Sequence, residues 1–368
     1  MGRKVLISLV SEQTIPNVIL IKEKQEIHRY LFISTEKMEK KKKVEAIIKG
    51  ASIEHFKIDT IVVKEDNLYD IEEKLKQSDL KDDEEFIINL TGGTKLMSIG
   101  IYNFFKERKS EIIYIPIGKN IYKIIVPKTK NNKKDIEYRL SLKEYLSSNG
   151  VEFKIGDIYK DKNFTDNFFD LYTKENIINN ITKIREFRNG KKIKRKLQKK
   201  KVLTKKEIPE NIFTFLKKLN LGTDTGVSIK DFEYIIGGWF EEYIYNLLVS
   251  QNIIKDNDIG LNIEIFRENS QNEFDVIFTY DNALFVIECK TGLNGLNGKI
   301  VNETLYKLDS LKKDFGLFVK AYLITLEDLR DKNGEIKKSW EKRAALMNIT
   351  IIDRKYILEK SILKKILK

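Results

Sequence analysis

Short apolar runs recur along the first third of the chain at a spacing of roughly 30 residues, the spacing of strand–helix–strand units. VLISLV (5–10), HRYLFIS (28–34), IDTIVV (58–63), EEFIINL (84–90) and EIIYIPI (111–117) read as strands. The stretches between them read as helices, from Ile15 to about Gln25, from Thr35 to Lys49, near 67–77, and from the turn TGGTK (91–95) to Arg108. NIYKIIVP (120–127) reads as an added hairpin strand. Strands alternating with helices imply βαβ units, right-handed crossovers and a doubly wound parallel sheet.

The pattern then changes. KTKNNKKD (128–135) reads as a polar linker, and SLKEYLSSNGVEF (141–153) as a helix ending at Gly150. Residues 191–201 hold eight cations in eleven positions, a solvated segment or a basic strip for a polyanion. TDTGVSIKD (223–231) marks a boundary before the helix GGWFEEYIYNLL (237–248). Two β-rich runs then flank Asp281-Asn282, a good hairpin turn. A two-residue turn there pairs Tyr280 with Ala283 and sets Asp275 opposite Glu288. Opposed residues project to one face of a sheet and side chains alternate along a strand. Asp275, Glu288 and Lys290 therefore share a face, with Cys289 pointing away.

Composition narrows the chemistry. The 368 residues carry 68 Lys+Arg against 55 Asp+Glu, a formal net charge of +13, which suits a nucleic-acid partner and also fits plain lysine bias. With 41% hydrophobic residues the chain can build two cores. The single cysteine, Cys289, excludes an internal disulfide framework and a CxxC zinc site. The only histidines are His28 and His55, so catalysis in the second half must use carboxylates, lysine and a hard metal. No apolar run is long enough for a membrane span or a signal peptide, and a cytoplasmic protein is expected.

In a doubly wound sheet of order 3-2-1-4-5, ligands meet the loops after strands 1 and 4. Those loops are Ser11–Thr14 and Thr91-Gly92-Gly93-Thr94-Lys95. Two glycines admit a close backbone approach, Thr94 can cap the next helix, and free N–H groups with Lys95 suit an anion. The bland alternative is an ordinary βα turn. The pattern S-x-x-x-x-P-N (Ser11 to Asn17) with L-T-G-G-T-K-x-M (Leu90 to Met97) resembles the CARF domain, a Rossmann-like sensor of type III CRISPR accessory proteins. The resemblance covers about the first 145 residues. It implies cyclic oligoadenylate binding, cyclic tetra-adenylate above all, at a two-fold homodimer interface. By resemblance the ligand role falls on Ser11, Gln13, Thr91, Gly92, Gly93, Thr94 and Lys95, joined more weakly by Ser34 and Thr35.

Two opposed carboxylates repel, and a divalent metal relieves that repulsion; oxygen donors with few histidines suit Mg²⁺ or Mn²⁺. Lys290 can orient an attacking water or stabilise charge on a phosphoryl group. A strand-end surface ion pair is the other reading of Glu-x-Lys. NEFDVIF, LFVIECKTG and G-x-W-F-E resemble the PD-(D/E)xK restriction-endonuclease-like fold over about 228–368, with Phe274 where proline would stand. The resemblance implies Glu241, Asp275, Glu288 and Lys290 as catalytic residues, and Asp275, Glu288, Glu241 and the Cys289 backbone carbonyl as metal ligands. Glu242 lies about 100° round the helix, so only one of that pair can face the site. Glu273 shares the face of Asp275 and can reach a second metal or lie at a solvated strand end. Trp239 and Phe240 read as core. Tyr306 and Lys307, after the glycine-bearing loop 292–300, read as core or surface, or as contacts to a substrate backbone.

The expected organisation is a sensor and dimerisation domain over 1–147, a basic connector over 148–226 and a nuclease domain over 227–368. The combined resemblance implies an activator-switched, metal-dependent endonuclease acting on DNA and also RNA, with no membrane partner. A restriction or repair nuclease with another nucleotide sensor stays open, as does a non-catalytic nucleic-acid-binding regulator.

Overall fold

A computed structural model describes residues 2–54, 57–174, 177–267, 270–292, 299–312, 315–316, 318–359 and 361–367. His55 and most of the loop 292–300 lie outside them. The first unit runs β1 (Lys4–Leu9), α1 (Ile15–Glu23), β2 (Arg29–Ser34), α2 (Glu36–Lys40), α3 (Lys43–Ala51), β3 (Ile58–Val62), α4 (Leu68–Lys76), β4 (Glu85–Asn89), α5 (Lys95–Phe105), β5 (Ser110–Tyr114) and β6 (Ile121–Val126). Its sheet has the order β3-β2-β1-β4-β5 in parallel, with β6 added antiparallel. The order places the loops after β1 and β4 side by side, where strand order reverses.

Two details depart from the pattern-based reading. The helix expected over 35–49 is two helices, broken where Lys42 adopts φ 51°. The expected polar linker contains a further edge strand, β7 (Lys133–Asp135), paired with β6. Its exposed lysines suit an edge that has no other strand to cover it.

After α6 (Leu142–Ser148) the chain enters a second sheet at once. β8 (Glu152–Lys154) pairs with β11 (Ile259–Arg267) at the edge of the order β15-β14-β13-β12-β11-β8. The remaining strands are β12 (Ser270–Tyr280), β13 (Ala283–Lys290), β14 (Val319–Thr325) and β15 (Ile349–Ile352). A small sheet pairs β9 (Val202–Thr204) with β10 (Gly226–Ser228). Residues 148–226 are thus folded: beyond β8 they supply α7 (Lys162–Lys174), α8 (Ile178–Asn189), α9 (Lys191–Lys200) and α10 (Glu210–Lys218). Phe168, Phe169 and Tyr172 of α7 pack into the nuclease-side core with Trp239, Tyr243 and Ile244.

The next helices are α11 (Ile229–Glu233), a π-helical segment Tyr234–Gly238, and α12 (Trp239–Val249), which continue one another. α13 (Lys299–Lys312), α14 (Lys338–Leu346), α15 (Arg354–Leu358) and α16 (Ile362–Ile366) follow in the second half. One face of that sheet, with Ile277, Leu284 and Val286, shares a continuous apolar core with Val10, Ile19, Tyr145 and Leu146 of the front of the chain. The opposite face, with Val276, Phe278 and Ile287, packs on Trp239 and Phe240, both fully buried. The two halves are therefore joined through α6 by packed side chains rather than by a free linker. No helix among the described residues is long and apolar enough to cross a membrane.

Candidate functional sites

The first site grows from three loop ends. Gly92 lies so close to β1 that a Cβ there would stand 2.2 Å from the Leu9 carbonyl oxygen, and Gly93 adopts φ +73°. Only glycine fits both positions. Thr94 then caps α5, its Oγ1 accepting from Met97 N–H at 3.3 Å and donating to Glu65 O at 2.8 Å. Thr91 Oγ1 accepts from Ile115 N–H at 2.9 Å, tying this loop to β5. Ser11 Oγ accepts from Gln13 N–H at 3.2 Å, folding the loop after β1. Thr94 and Lys95 are exposed at the start of α5, where the helix dipole and free N–H groups favour an anion. Thr35 is spent as the cap of α2, accepting from Met38 N–H.

Two buried asparagines hold these loops together. Asn89 Nδ2 donates to Asn17 Oδ1 at 2.7 Å, and Asn17 Nδ2 donates to Leu9 O at 3.0 Å. Asn89 Oδ1 accepts from Thr91 N–H at 3.0 Å. Asn17 stands in the motif quoted above. Asn89 lies outside that motif; its signal in the sequence is a polar residue closing the apolar run EFIIN just before the glycine turn.

The second site sits at the ends of β12 and β13. Asp281 and Asn282 have φ 52° and 60°, the two positive values of a I′ hairpin turn. The register is the expected one, Tyr280 opposite Ala283 through to Val276 opposite Ile287. β13 is central, with β12 on one side and β14 on the other. The turn and register bring Asp275, Glu288 and Lys290 together at the end of a buried strand. Asp275 is 9% exposed and Glu288 3%.

One cation stands amid the oxygens. Lys290 Nζ lies 2.7 Å from Glu288 Oε1, 3.6 Å from Asp275 Oδ2 and 3.1 Å from the Cys289 carbonyl oxygen. Asp275 Oδ2 also accepts from Cys289 N–H at 2.6 Å. Burial and the neighbouring Glu288 push the Asp275 carboxyl up to about 7, against the pull of Lys290. Burial alone would lower the Lys290 ammonium, but Asp275 and Glu288 outweigh it and hold its pKa above the ordinary value. Burial raises the Cys289 thiol well above its usual range, so this side chain is inert packing.

Glu241, half-buried on α12, feels the same cluster: burial and then Asp275 raise its carboxyl well above the usual range. Among the described residues it makes no direct hydrogen bond or ion pair to the other three. Its neighbour Glu242 faces elsewhere, accepting from the backbone N–H groups of Tyr159 and Lys160. Glu273 is exposed at the strand beside Asp275. A residue of α13 completes the cluster: Lys307 Nζ reaches Glu288 Oε1 at 3.1 Å and Oε2 at 3.4 Å.

The expected connector also reaches this site. Arg185 of α8 donates through Nη2 to Ile236 O and to Thr291 Oγ1, both at 3.2 Å, and Thr291 Oγ1 donates to Ile236 O at 3.1 Å. Ile236 belongs to the π-helical segment, a feature that frees carbonyls from the regular helical ladder. Arg185 and Thr291 thereby stitch the helix of Glu241 to the residue after Lys290.

No cluster of three His, Cys, Asp or Glu side chains forms a ready metal cage among the described residues. The donor chemistry nevertheless suits a hard divalent cation: two carboxylates and a carbonyl converge on one ammonium group, and all three donors are oxygens.

Comparison with known proteins places both halves. Residues 5–145 match the family model of the Card1 CARF domain, and residues 230–364 match that of the Card1-like endonuclease domain. Among solved structures, Can2 from Sulfobacillus thermosulfidooxidans in complex with cyclic tetra-adenylate is 25% identical, with a TM-score of 0.71 over 98% of this chain and 99% of that one. Protein VC1899 from Vibrio cholerae shares the fold at 17% identity, with a TM-score of 0.72 over 98% and 96%. A type III CRISPR defence DNA nuclease activated by cyclic oligoadenylate shares the fold at 14% identity and a TM-score of 0.52, over 94% of this chain and 52% of that one. No curated protein matches the sequence.

Proposed function

With a CARF domain at its front and a Card1-like endonuclease domain at its back, the chain belongs among the CARF–nuclease effectors, and on that premise we propose that it is an endonuclease switched on by a cyclic oligoadenylate. Cyclic tetra-adenylate is the activator favoured by the Can2 complex, a relative aligned over nearly the whole of both chains. The observation that carries the nuclease reading is the convergence of Asp275, Glu288 and the Cys289 carbonyl on a single cation.

The reaction is hydrolysis of a phosphodiester in DNA, and also in RNA. Water attacks phosphorus, one ester P–O bond breaks, and the leaving oxygen takes up a proton. Asp275, Glu288 and the Cys289 carbonyl would hold Mg²⁺ or Mn²⁺, with Glu241 as a further carboxyl behind the strand end. The metal supplies Lewis-acid neutralisation of phosphate charge and eases ionisation of water. Lys290 keeps its charge through neutral pH, so its ammonium stabilises the negative charge that grows on the phosphoryl oxygens. Arg185 and Thr291 hold the two contributing elements in register.

At the sensor, Gly92, Gly93, Thr94 and Lys95 receive a phosphate, and Ser11, Gln13 and Thr91 line the adjoining space. A cyclic, symmetric polyanion suits a two-fold site with one helix N-terminus from each subunit, so the working form is a homodimer. Ligand binding favours a closed dimer over an open one and so shifts the nuclease population. The biological role that follows is type III CRISPR antiviral defence.

The test is a gel assay on supercoiled plasmid and single-stranded RNA, with Mn²⁺ or Mg²⁺, with and without cyclic tetra-adenylate. Cleavage only when metal and activator are both present is expected. Cleavage that ignores every cyclic oligoadenylate would remove the switch and leave the nuclease.

A further inference from the structure

The catalytic hairpin has two ends. One carries Asp275 and Glu288; the other, the turn Asp281-Asn282, is inserted into the sensor half. Asn282 Oδ1 accepts from Leu140 N–H at 2.8 Å, and its Nδ2 donates to Asn120 Oδ1 and Tyr138 O, both at 2.9 Å. Asn120 Nδ2 donates in turn to Asp281 O at 2.9 Å, and Arg139 pairs with the Asp281 carboxylate at 2.8 Å. The hydrogen-bonding groups of the Asn282 side chain are thus committed to the sensor. A loop tip that needed only to turn the chain would carry no such set of bonds.

Beside this turn lies a cavity of about 120 Å³ between the two halves. Its polar lining includes Ser11 and Gln13, residues already placed at the sensor site. Its walls are Ile15, Ile115 and Ile117, and Phe318 closes it from the nuclease sheet. The halves touch closely here: a Cβ at Gly316 would stand 2.8 Å from Gln13 Oε1. An apolar lining with a few polar groups suits a flat heterocycle. A volume of about 120 Å³ is of the size class of a fused two-ring base. Thr91 also lines the cavity and is contiguous with the Gly92–Lys95 phosphate cradle, so the two spaces can receive the base and phosphate of neighbouring parts of one ligand.

We infer that a purine base of the activator enters this cavity, and that the Asp281-Asn282 turn carries the event to the carboxylates. The inference rests on the sensor reading above and adds the route within one chain. β13 is buried along its length and paired on both sides, so it moves as a unit. At about 3.3 Å per residue, a displacement of its turn is delivered roughly 20 Å away, at Glu288.

Three measurements test it on the full-length protein. The first titrates a cyclic tetra-adenylate analogue carrying 2-aminopurine in place of one adenine; burial of the base is expected to change its emission several-fold. The second is Ile117→Trp in the cavity lining, where Ile117 is 61% exposed and a larger side chain can be carried without disturbing the core. It should weaken activator binding about tenfold, a change of about 1.4 kcal/mol. The third is Asn282→Asp, which keeps a residue tolerant of positive φ but removes both Nδ2 donations. Because Asn282 also lines the cavity, the coupling is read at saturating activator, where cleavage should fall about tenfold.

Unchanged 2-aminopurine emission on binding, or wild-type affinity in Ile117→Trp, would overturn base entry. Normal activation in Asn282→Asp would overturn the coupling role. A wild-type protein that binds no cyclic oligoadenylate would instead overturn the sensor reading, and this inference with it.

Discussion

The sensor and nuclease sites are built from opposite materials. At the sensor the working groups are backbone N–H donors and a capped helix start, presented by loops at the carboxyl ends of two central strands of a parallel sheet. Nothing there is forced together, and Thr94 and Lys95 face solvent. At the nuclease the working groups are side-chain carboxylates set opposite one another on buried strands. The cluster raises both Asp275 and Glu241, and two lysines stand against Glu288. The first site costs little when empty. The second carries repulsion that a cation relieves, so its behaviour should follow charge, pH and metal in ways the sensor does not.

The sharpest way to separate the two is Lys290→Ala. Losing one preorganised charge at a developing anion typically costs roughly 10²–10³-fold in rate. Loss of that order in cleavage is expected, with cyclic tetra-adenylate affinity unchanged by calorimetry. Loss of both would show that Lys290 holds the fold rather than the chemistry.

The next contrast is pH. Burial and then Glu288 disfavour the charge of Asp275 in the folded protein and push its carboxyl up to about 7, above its ordinary value of 3.8. A raised carboxyl makes the folded state bind more protons than the unfolded one, so stability falls as pH climbs through the window from about 4 to about 7. Glu241 acts in the same direction. The adjacent Lys290 offsets part of this effect. Metal-free wild type should therefore lose more Tm between pH 5 and pH 8 than Asp275→Asn does, and Mn²⁺ should restore it at the upper end. Equal pH profiles for the two proteins would refute the charged-cluster account. Removal of metal with EDTA should silence cleavage and leave activator binding intact.

A smaller effect is expected at the sensor. Lys95→Ala removes one charge at an exposed helix start, and a hydrogen bond to a charged group is worth roughly 1.5–3 kcal/mol. Activator affinity should fall about tenfold or somewhat more, while cleavage at saturating activator stays near wild type. A changed cleavage rate at saturation would mean that Lys95 takes part in the switch itself.

This contrast also explains what could be read from the chain. The sensor sheet is legible because each strand is an apolar run and each crossover a helix, so the order 3-2-1-4-5 follows from general topology. The Asp275–Glu288 pairing is legible because Asp281-Asn282 fixes a two-residue turn, and one residue of slip would send the carboxylates to opposite faces. β8 is not legible: three residues, Glu152–Lys154, carry no periodicity, and only the exposed edge of β11 gives them a partner. The π-helical segment before Glu241 is equally silent, since nothing in Tyr234–Gly238 marks a wider helical turn, and Arg185 meets its Ile236 carbonyl only in the folded chain. Lys307 was ambiguous for a similar reason. Its position depends on how α13 packs beside β13 and β14, across a segment with no strand or helix pattern of its own.

Lys307 gives the finest test of the comparison, because it separates a cation that holds a place from one that does chemistry. Its ammonium lies against both oxygens of Glu288, a carboxylate expected to bind metal, yet its side chain is half exposed and can move away. A cation bound there competes with a divalent ion for the same oxygens. Lys307→Met keeps most of the apolar stem and removes the charge. Mn²⁺ affinity should then rise a few-fold, which corresponds to roughly 1 kcal/mol, with little change in activator binding. If metal binding weakens instead, Lys307 positions Glu288 rather than occupying it, and the repulsion in the empty site is held down by Lys290 alone.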